Sequence, residues 1–229
     1  MIGVYDYTVV LTYLSMISGA TGIILTMTGI GHPYLGALFL MFSGLFDSFD
    51  GKVARTKKNR SELEKNFGVQ IDSLSDLICF GVLPAAIGLA QLRISGRFIE
   101  LMSKEQNSNS AVATILMIAV ADIYILTALI RLAYFNATED ERQKEAAQTG
   151  VVHYTGLPVT SAALIFPFTL IIHYFVKADL TVIYFWVMFI TAILFVGTFK
   201  IPKLSNKVLY ILVGFGLLEL FGLIFIILD

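Results

Sequence analysis

The sequence predicts an all-α polytopic membrane protein, a bundle of about six to eight transmembrane helices. Three observations carry this prediction. Of the 229 residues 57% are hydrophobic, the mean hydropathy is +0.80, and long apolar runs follow one another with only short polar breaks. A soluble domain with a polar surface does not reach these values. We therefore expect residues 1–229 to form a single membrane-embedded domain.

Seven apolar runs supply the helices, because a helix of roughly 20 apolar residues crosses a hydrocarbon core about 30 Å thick. The runs cover residues 7–30, 33–55, 67–92, 111–136, 156–176, 180–199 and 207–228. Residues 1–11 contain no Lys or Arg, so we expect the first run to remain as a membrane helix and not to be a cleaved signal peptide. The polar stretches Ser103–Ser110 and Thr138–Thr149 are predicted to be loops outside the membrane.

The positions of the basic residues predict the orientation of the bundle. Twelve of the sixteen Lys and Arg residues fall on one side if the loops alternate. Because cytoplasmic loops carry the excess of basic residues, we expect a cytoplasmic N-terminus and an external C-terminus in the cell membrane. The net charge of -1 gives no reason to expect a nucleic acid as partner, and the aromatic residues do not suggest a stacking platform.

Four carboxylates interrupt the apolar pattern where the second run ends and the third begins. Asp47 and Asp50 are three residues apart, and Asp72 and Asp76 are four apart, so each pair shares one face of its helix. Two such helices packed together would aim four acids at one point, where they repel one another unless a cation neutralises them. Hard oxygen ligands favour Mg²⁺, Mn²⁺ or Ca²⁺, and Mg²⁺ usually binds a few carboxylates together with phosphate oxygens. The cluster therefore predicts phosphate chemistry at a divalent metal site.

Small residues beside the first acid pair leave room for a ligand such as a nucleotide. Gly51 and Ala54 lie on the same helix face as the pair, and Arg55 lies one turn beyond Gly51, where it could pair with a pyrophosphate oxygen.

Two other interpretations of the acid cluster stay open. The acids could be a solvated helix end with small residues for close packing, or the passage site of a divalent-cation transporter. A transporter should carry polar residues through the full membrane depth, whereas these acids crowd one end.

These residues fit the pattern Asp-x-x-Asp-Gly-x-x-Ala-Arg followed by Gly-x-x-x-Asp-x-x-x-Asp, and on that basis the chain resembles the CDP-alcohol phosphotransferases. The matched positions are Asp47, Asp50, Gly51, Ala54, Arg55, Gly68, Asp72 and Asp76. One departure lies between the two halves of the pattern. The gap from Arg55 to Gly68 holds twelve residues, more than the usual spacing in the family.

Within the family, the residues around the second acid pair, Arg131–Asn136 and Gly156–Pro158 look like those of the bacterial and archaeal phosphatidylserine synthases. The resemblance implies CDP-diacylglycerol and L-serine as substrates, Mg²⁺ or Mn²⁺ as cofactor, membrane lipids as surroundings and a homodimer. It implies four metal ligands, namely Asp47, Asp50, Asp72 and Asp76. Asp76 is also implied as the general base that takes the proton of the serine hydroxyl.

The remaining candidate residues are assigned to the two substrates. The expected nucleotide-binding residues are Gly51, Ala54, Arg55, Gly68, Thr12 and Ser15, although Ser15 stands where many relatives have Asn. The expected acceptor-binding residues are Arg131, Asn136 and His153. For Arg131 the alternative is an anchor that reaches the membrane interface, and for His153 it is a structural role.

Another acceptor, glycerol 3-phosphate or an inositol phosphate, remains an alternative to serine. Such acceptors carry a phosphate and would require several clustered basic residues, whereas only Arg131 stands out near the expected cavity. We therefore expect serine as the acceptor, in a cavity that opens to the cytoplasm.

Two further acids, Asp122 and Glu219, lie inside predicted membrane helices, where an ionised carboxylate requires a partner. For both we expect a helix contact or a dimer interface.

Overall fold

The computed structural model describes residues 2–29, 32–95, 108–149, 153–176, 179, 181–202 and 206–228. Its helices are α1 (Val10–Thr28), α2 (Pro33–Ala54), α3 (Glu62–Asp76), α4 (Leu83–Ile94), α5 (Ser108–Ala137), α6 (Glu139–Thr149), α7 (Ala162–Val176), α8 (Thr181–Phe195) and α9 (Asn206–Leu228). A π-helical segment, Leu77–Val82, joins α3 to α4 without a break. Two short strands, β1 (His153–Thr155) and β2 (Lys200–Pro202), form an antiparallel pair.

The predicted fold class, an all-α polytopic membrane bundle, is confirmed. Within the described residues, five helices are long and apolar enough to cross a membrane: Val10–Thr28, Glu62–Ile94, Val112–Ala137, Val159–Val176 and Ile211–Leu228. The apolar helix α8 is shorter, and α2 carries the first acid pair along its 22 residues. Each of the seven predicted runs coincides with one of these helical segments, so the chain is a multi-pass membrane protein.

The third helix begins earlier than predicted, at Glu62 and not at Phe67. Ser61 caps it by accepting a hydrogen bond from the Glu64 backbone N–H, while the Glu64 side chain accepts one from the Ser61 N–H. This capping box satisfies backbone donors that would otherwise lack partners at the helix start. The Ser-x-x-Glu pattern in the sequence indicates this helix start. The prediction placed the start later because the residues around the pattern are polar.

The prediction of a loop over Thr138–Thr149 is wrong, because Glu139–Thr149 forms α6. Glu139 pairs with Arg142 and accepts a hydrogen bond from Gln143. Such contacts three and four residues apart stabilise a helix that has no apolar face. Of the other predicted loop, residues 103–107 lie outside the described residues and Ser108 already begins α5.

The hydrophobic core lies between α2, the π-helical segment, α4, α5, α7 and α8. Its centre is aromatic: Tyr124 packs edge-on against Phe166, and Phe166 packs against Tyr184. Both tyrosine side chains are fully buried, so each hydroxyl needs a hydrogen-bond partner. Tyr124 donates to the Phe80 carbonyl at 2.6 Å and Tyr184 to the Pro84 carbonyl at 2.9 Å.

The Tyr124 contact compensates for a proline inside a helix. Pro84 has no N–H, so the Phe80 carbonyl four residues earlier loses its ordinary α-helical donor. The backbone responds with the π-helical segment, and the Tyr124 hydroxyl supplies a donor from α5. Because this segment directly follows Asp76, the same hydrogen bond stabilises the helix that carries the second acid pair.

The two-stranded sheet connects the start of α7 to the end of α8. Gly156 follows β1 with a φ of 72°, and its N–H donates to the Phe199 carbonyl at 2.9 Å. A Cβ at this position would lie 2.8 Å from the carbonyl oxygens of Phe195 and Gly197. The glycine is thus required both by its backbone conformation and by the close approach of a neighbouring chain segment.

Replacing Tyr124 with Phe should lower the stability of the protein by about 1–3 kcal/mol, because the buried Phe80 carbonyl loses its donor. Thermal or denaturant unfolding of the purified protein in detergent measures this change. Tyr134→Phe is the matched control, since Tyr134 lies on the same helix with an exposed side chain, and should change stability by less than about 0.5 kcal/mol. Equal stability of the two variants would show that the hydrogen bond is unimportant.

Candidate active site

Three of the four predicted acids meet where α2 and α3 pack together. Asp47, Asp50 and Asp72 each place a carboxylate oxygen within 4.8 Å of the others. The spacing of three residues on α2 puts its two acids on one face, and that face is turned towards α3. We call the end of the bundle that contains these residues the acid end.

Asp76 lies one helical turn after Asp72, at the end of α3, and is not part of this group of three. Its carboxyl group lies beside that of Asp47, whereas the carboxyl group of Asp72 lies beside that of Asp50. Asp76 is also buried, with 8% of its surface exposed. The four acids therefore form one connected cluster in which Asp76 has the innermost position.

No lysine or arginine forms a salt bridge with any of these four acids within the described part of the chain. Carboxylates so close together repel strongly when ionised. A donor set of three carboxylates at this separation suits a hard divalent cation, which would remove the repulsion. The residues present therefore fit a divalent metal, and the donor set alone does not choose between Mg²⁺ and Mn²⁺.

Thr12 of α1 contacts the acid cluster directly. Its hydroxyl donates to an Asp50 carboxylate oxygen at 2.9 Å. Both residues are buried, so this hydrogen bond fixes the orientation of the carboxylate. Thr12 was predicted to bind the nucleotide, and the structure adds a contact that orients a candidate metal ligand.

Ser15, the other candidate on α1, lies between helices. Its hydroxyl donates to the Ser43 carbonyl at 3.2 Å, and the Ser43 hydroxyl donates to the Ser15 carbonyl at 3.0 Å. Only 2% of Ser15 is exposed. Its observed contacts join α1 to α2 and also reach the π-helical segment, since the Ser15 hydroxyl lies 3.7 Å from the Cys79 sulfur.

The small residues of the pattern lie beside basic side chains. The Arg55 guanidinium extends over Gly51, where an added Cβ would lie 3.5 Å from its Nη1 atom. Gly68 accommodates Arg60 in the same way, with a corresponding distance of 2.9 Å to Nη2. Ala54 is the last residue of α2. Sequence reasoning identified Arg55 and did not identify Arg60, although both guanidinium groups contact the glycines of the pattern.

The chain segment between the two halves of the pattern forms an ion pair with the N-terminal segment. Lys57 forms salt bridges with Asp6, at 2.6 Å, and with Glu64. The Lys57 ammonium, together with a hydrogen bond from Thr8, holds the pKa of Asp6 at about 2, well below its ordinary value. This ion cluster joins three separate chain segments at the acid end, and sequence reasoning did not predict it.

Arg131 of α5 is buried, with 6% of its surface exposed. Its Nε donates to the Leu157 carbonyl at 3.1 Å, and its guanidinium lies 5.4 Å from the centre of the Phe135 ring. Among the described residues we find no hydrogen-bond partner for its two terminal nitrogens. The loop residues Gly156–Pro158, which carried part of the family resemblance, therefore position this arginine through a backbone carbonyl.

Arg142 of α6 contacts the same phenylalanine, with its guanidinium 3.8 Å from the ring centre of Phe135. Its guanidinium donates to the Phe135 carbonyl and to the Thr138 hydroxyl, and it pairs with Glu139. These contacts attach α6 to the end of α5. Sequence reasoning placed Arg142 in a loop and gave it no role.

The other acceptor candidates differ in how much the structure describes. The Asn136 side-chain amide donates to the Ser73 hydroxyl at 2.7 Å, which joins the end of α5 to α3 between the two acids of the second pair. His153 begins β1 and pairs with Pro202. The position of the His153 side chain lies outside the described residues.

The two isolated acids have opposite environments. Asp122 is exposed on α5, ten residues after the start of the apolar span at Val112. Glu219 of α9 is buried, with 4% of its surface exposed, and neither carboxylate oxygen has a hydrogen-bond partner among the described residues. The helix that carries Glu219, α9, packs on α2 and α7. The structure provides no polar partner for it within those residues.

Comparison with known proteins places the acid cluster in a family. Residues 8–197 match the CDP-alcohol phosphatidyltransferase family. The chain is 32% identical over 162 residues to a CDP-diacylglycerol–serine O-phosphatidyltransferase of Saccharomyces cerevisiae, covering 67% of this chain and 50% of that protein. It is 30% identical to an archaetidylserine synthase of Methanothermobacter thermautotrophicus over 66% of this chain and 53% of the relative.

A third relative covers more of both chains. The CDP-diacylglycerol–serine O-phosphatidyltransferase of Methanocaldococcus jannaschii is 27% identical over 210 residues, which is 91% of this chain and 78% of that protein. By contrast, the chain spans about half the length of the yeast and Methanothermobacter relatives. The family match, over residues 8–197, includes both halves of the aspartate pattern.

Replacing Thr12 with Val should weaken Mn²⁺ binding by about 10–100-fold, because Asp50 loses the hydrogen bond that orients its carboxylate. Calorimetric or spectroscopic titration of the purified protein with Mn²⁺ measures the affinity without depending on turnover. Thr28→Val is the matched control, since the Thr28 hydroxyl donates only to carbonyls of its own helix. An unchanged Mn²⁺ affinity in Thr12→Val would contradict the proposed role of this contact.

Proposed function

The chain belongs to the CDP-alcohol phosphatidyltransferase family, and from this we propose that it transfers the phosphatidyl group of CDP-diacylglycerol to L-serine, giving phosphatidylserine and CMP. The observation that carries the proposal is the cluster of Asp47, Asp50 and Asp72, which lies within the family match with carboxylate oxygens no more than 4.8 Å apart. The names of the relatives support serine as the acceptor.

Asp47, Asp50 and Asp72 are the proposed ligands of a divalent cation, Mg²⁺ or Mn²⁺, and Asp76 is the proposed fourth ligand. Such a cation would withdraw charge from the phosphorus under attack and stabilise the departing phosphate of CMP. Thr12 keeps the Asp50 carboxylate in one orientation through its hydrogen bond. A carboxylate held in this way needs less reorganisation during the reaction.

Asp76 is the proposed general base. The hydroxyl oxygen of serine forms a bond to the phosphatidyl phosphorus, the bond from that phosphorus to the CMP oxygen breaks, and the hydroxyl proton passes to the Asp76 carboxylate. A hydroxyl is a poor nucleophile near neutral pH, so a base within hydrogen-bond distance is required. Support for this division of roles comes from the position of Asp76 outside the group of three acids and beside Asp47.

The nucleotide is proposed to lie along the end of α2, against Gly51 and Ala54. Arg55, whose guanidinium lies over Gly51, would pair with a phosphate oxygen of the pyrophosphate. Gly68 contributes indirectly, because it makes space for Arg60 beside the second acid pair. Ser15, predicted to bind the nucleotide, joins α1 to α2 beside this site through its hydrogen bonds with Ser43.

Arg131 is the proposed partner of the serine carboxylate, with Asn136 and His153 as neighbouring acceptor residues. Its terminal nitrogens have no hydrogen-bond partner in the described part of the chain, whereas the guanidinium of Arg142 already contacts Phe135, Thr138 and Glu139. One arginine beside the proposed acceptor residues suits a carboxylate better than a phosphate-bearing acceptor, which would need several basic groups there. This observation supports serine over glycerol 3-phosphate or an inositol phosphate.

The acid end is proposed to face the cytoplasm, in the cell membrane. It lies beside the segment Lys52–Lys65, which contains six of the sixteen basic residues, and basic loops are retained on the cytoplasmic side. Both substrates can reach such a site, the amino acid from the cytoplasm and the activated lipid from the adjacent leaflet. A divalent-cation transporter is disfavoured, because it would not need the glycines and arginine beside the acids.

We also propose a homodimer that covers the exposed face of α5. Asp122 lies on this face within a membrane span, where a carboxylate in contact with lipid is unfavourable and is expected to meet another protein surface. Cysteines introduced one at a time along residues 112–129 should form disulfide-linked dimers with helical periodicity centred on position 122. Cross-links without periodicity would contradict this interface.

The function is tested by the release of CMP from CDP-diacylglycerol by the purified protein with a panel of acceptors. L-Serine should stimulate release far more than glycerol 3-phosphate or inositol phosphate, and chelation of divalent cations should abolish it. Turnover with glycerol 3-phosphate but not with serine would assign a different acceptor. Cation flux through reconstituted protein without any CMP release would exclude the transferase proposal.

Replacing Asp76 with Asn should separate the base from the metal ligands. The substitution keeps the shape of the side chain but removes the proton acceptor, so turnover should fall about 10²–10⁴-fold while nucleotide affinity is largely retained. In Asp47→Asn, Asp50→Asn and Asp72→Asn, by contrast, the affinities for metal and CDP-diacylglycerol should fall together with turnover. Calorimetry with CDP at saturating Mn²⁺, alongside CMP release, measures both effects.

The two outcomes that contradict the assignment of Asp76 are distinct. If Asp76→Asn loses nucleotide and metal binding as severely as Asp72→Asn, then Asp76 is mainly a ligand, and His153 becomes the first alternative base. If Asp76→Asn retains nearly normal turnover, the proposed mechanism is wrong.

A further inference from the structure

A second arginine lies beside the buried Arg131, at the end of α5. Both guanidinium groups contact the ring of Phe135, that of Arg142 at 3.8 Å from the ring centre and that of Arg131 at 5.4 Å. Their positive charges are close enough to interact, and the side chain of Arg142 is only 12% exposed. Arg142 pairs with Glu139, whereas no acid in the described part of the chain forms a salt bridge with Arg131. The two arginines together therefore carry one positive charge that lacks a partner there.

The contacts of Arg142 are made within the protein. Its Nη1 donates to the Phe135 carbonyl at 2.6 Å and to the Thr138 hydroxyl at 2.7 Å, while its Nη2 pairs with Glu139. Phe135 lies in the last turn of α5, where helical carbonyls lack an intrahelical donor. Arg142 supplies that donor and contacts the ring of the same residue, so it restrains both the backbone and the side chain of Phe135.

The ring of Phe135 is also in contact with the strand pair. Tyr154 of β1 packs on it, with 5.9 Å between the ring centres. Two residues after β1, the Leu157 carbonyl accepts the hydrogen bond from the Arg131 Nε at 3.1 Å. The guanidinium of Arg131 is thus restrained at Nε by a backbone carbonyl and at its side by a ring that α6 and β1 hold in place.

These restraints set the direction in which Arg131 presents its two terminal nitrogens. Neither nitrogen has a hydrogen-bond partner among the described residues, although the residue is only 6% exposed. A guanidinium binds a carboxylate best through two parallel N–H bonds, which requires its plane to be fixed relative to the ligand. An arginine that rotated freely would bind more weakly, because each binding event would have to order its side chain. The ring of Phe135 opposes this rotation.

We propose that Arg142 is a positioning residue for the acceptor: by holding Phe135, it keeps the guanidinium of Arg131 in the orientation that meets the carboxylate of an acceptor such as serine. The inference rests on the proposed function, in which Arg131 binds that carboxylate. Arg142 acts through Phe135 and does not touch the acceptor, because its terminal nitrogens are already bonded within the protein. None of its described contacts involves the acid cluster, so the metal and the nucleotide should bind without it.

Replacing Arg142 with Gln tests the proposal, since Gln can still donate to the Phe135 carbonyl but lacks the flat, charged group beside the ring. In CMP release by the purified full-length chain, the KM for serine should rise about tenfold, which corresponds to the loss of one cation–ring contact. The kcat at saturating serine and the affinity for CDP at saturating Mn²⁺ should be unchanged, because only acceptor binding is affected. Gln143→Ala is the matched control. Gln143 is exposed on the same helix and donates to Glu139, and this variant should keep the native KM.

A second variant, Phe135→Leu, removes the ring and should also raise the KM for serine about tenfold. If Arg142 acts through this ring, Arg142→Gln should add nothing once the ring is gone. The double variant should then show the KM of Phe135→Leu alone, because changes that remove one shared interaction do not add.

Three results would overturn the proposal and leave the proposed function intact. An unchanged KM in both single variants would show that the ring does not position Arg131. Increases in KM that multiply in the double variant would show that Arg142 acts independently of Phe135. A loss of CDP affinity as large as the rise in KM would assign Arg142 a general structural role. A native chain that binds CDP but releases no CMP with serine would instead reject the proposed function, and this inference with it.

Discussion

The acid cluster depends on the hydrogen bonds that α1 makes to both of the helices that carry acids. Ser15 and Ser43 exchange hydrogen bonds between α1 and α2, and the Cys79 thiol donates to the Ser15 carbonyl at 3.2 Å. Gly19 allows the close approach, since a Cβ there would lie 2.5 Å from the Cys79 sulfur. Four neighbouring carboxylates repel when ionised, so packing by a third helix is required to hold them together. The function proposed for the acids thus rests on a helix that contributes no acid itself.

The sequence was sufficient to predict the bundle and the meeting of its acids, because both follow from strong local signals. Apolar runs of membrane-spanning length define the helices, and the spacings of Asp47 with Asp50 and of Asp72 with Asp76 define the helix faces. The start of α3 was also encoded, in Ser61 and Glu64. That signal was missed because the surrounding residues are polar and the apolar run begins later.

Other features could not be predicted because they depend on contacts between distant segments. Nothing local to Thr12 indicates that its hydroxyl meets Asp50, thirty-eight residues away. The same holds for Arg131, whose buried position is fixed by the Leu157 carbonyl, and for Lys57, which joins Asp6 to the loop before α3. Side chains of these types are compatible with many partners, so only the tertiary arrangement selects one.

We propose that α1, α2 and α3 together hold one divalent metal site at the acid end. The most direct measurement is the anomalous scattering of Mn²⁺ in crystals of the protein. We expect a peak between Asp47, Asp50 and Asp72, within about 2.0–2.6 Å of a carboxylate oxygen of each, as is usual for hard divalent cations. A peak confined to other residues, or no peak at the acids under saturating Mn²⁺, would contradict the account.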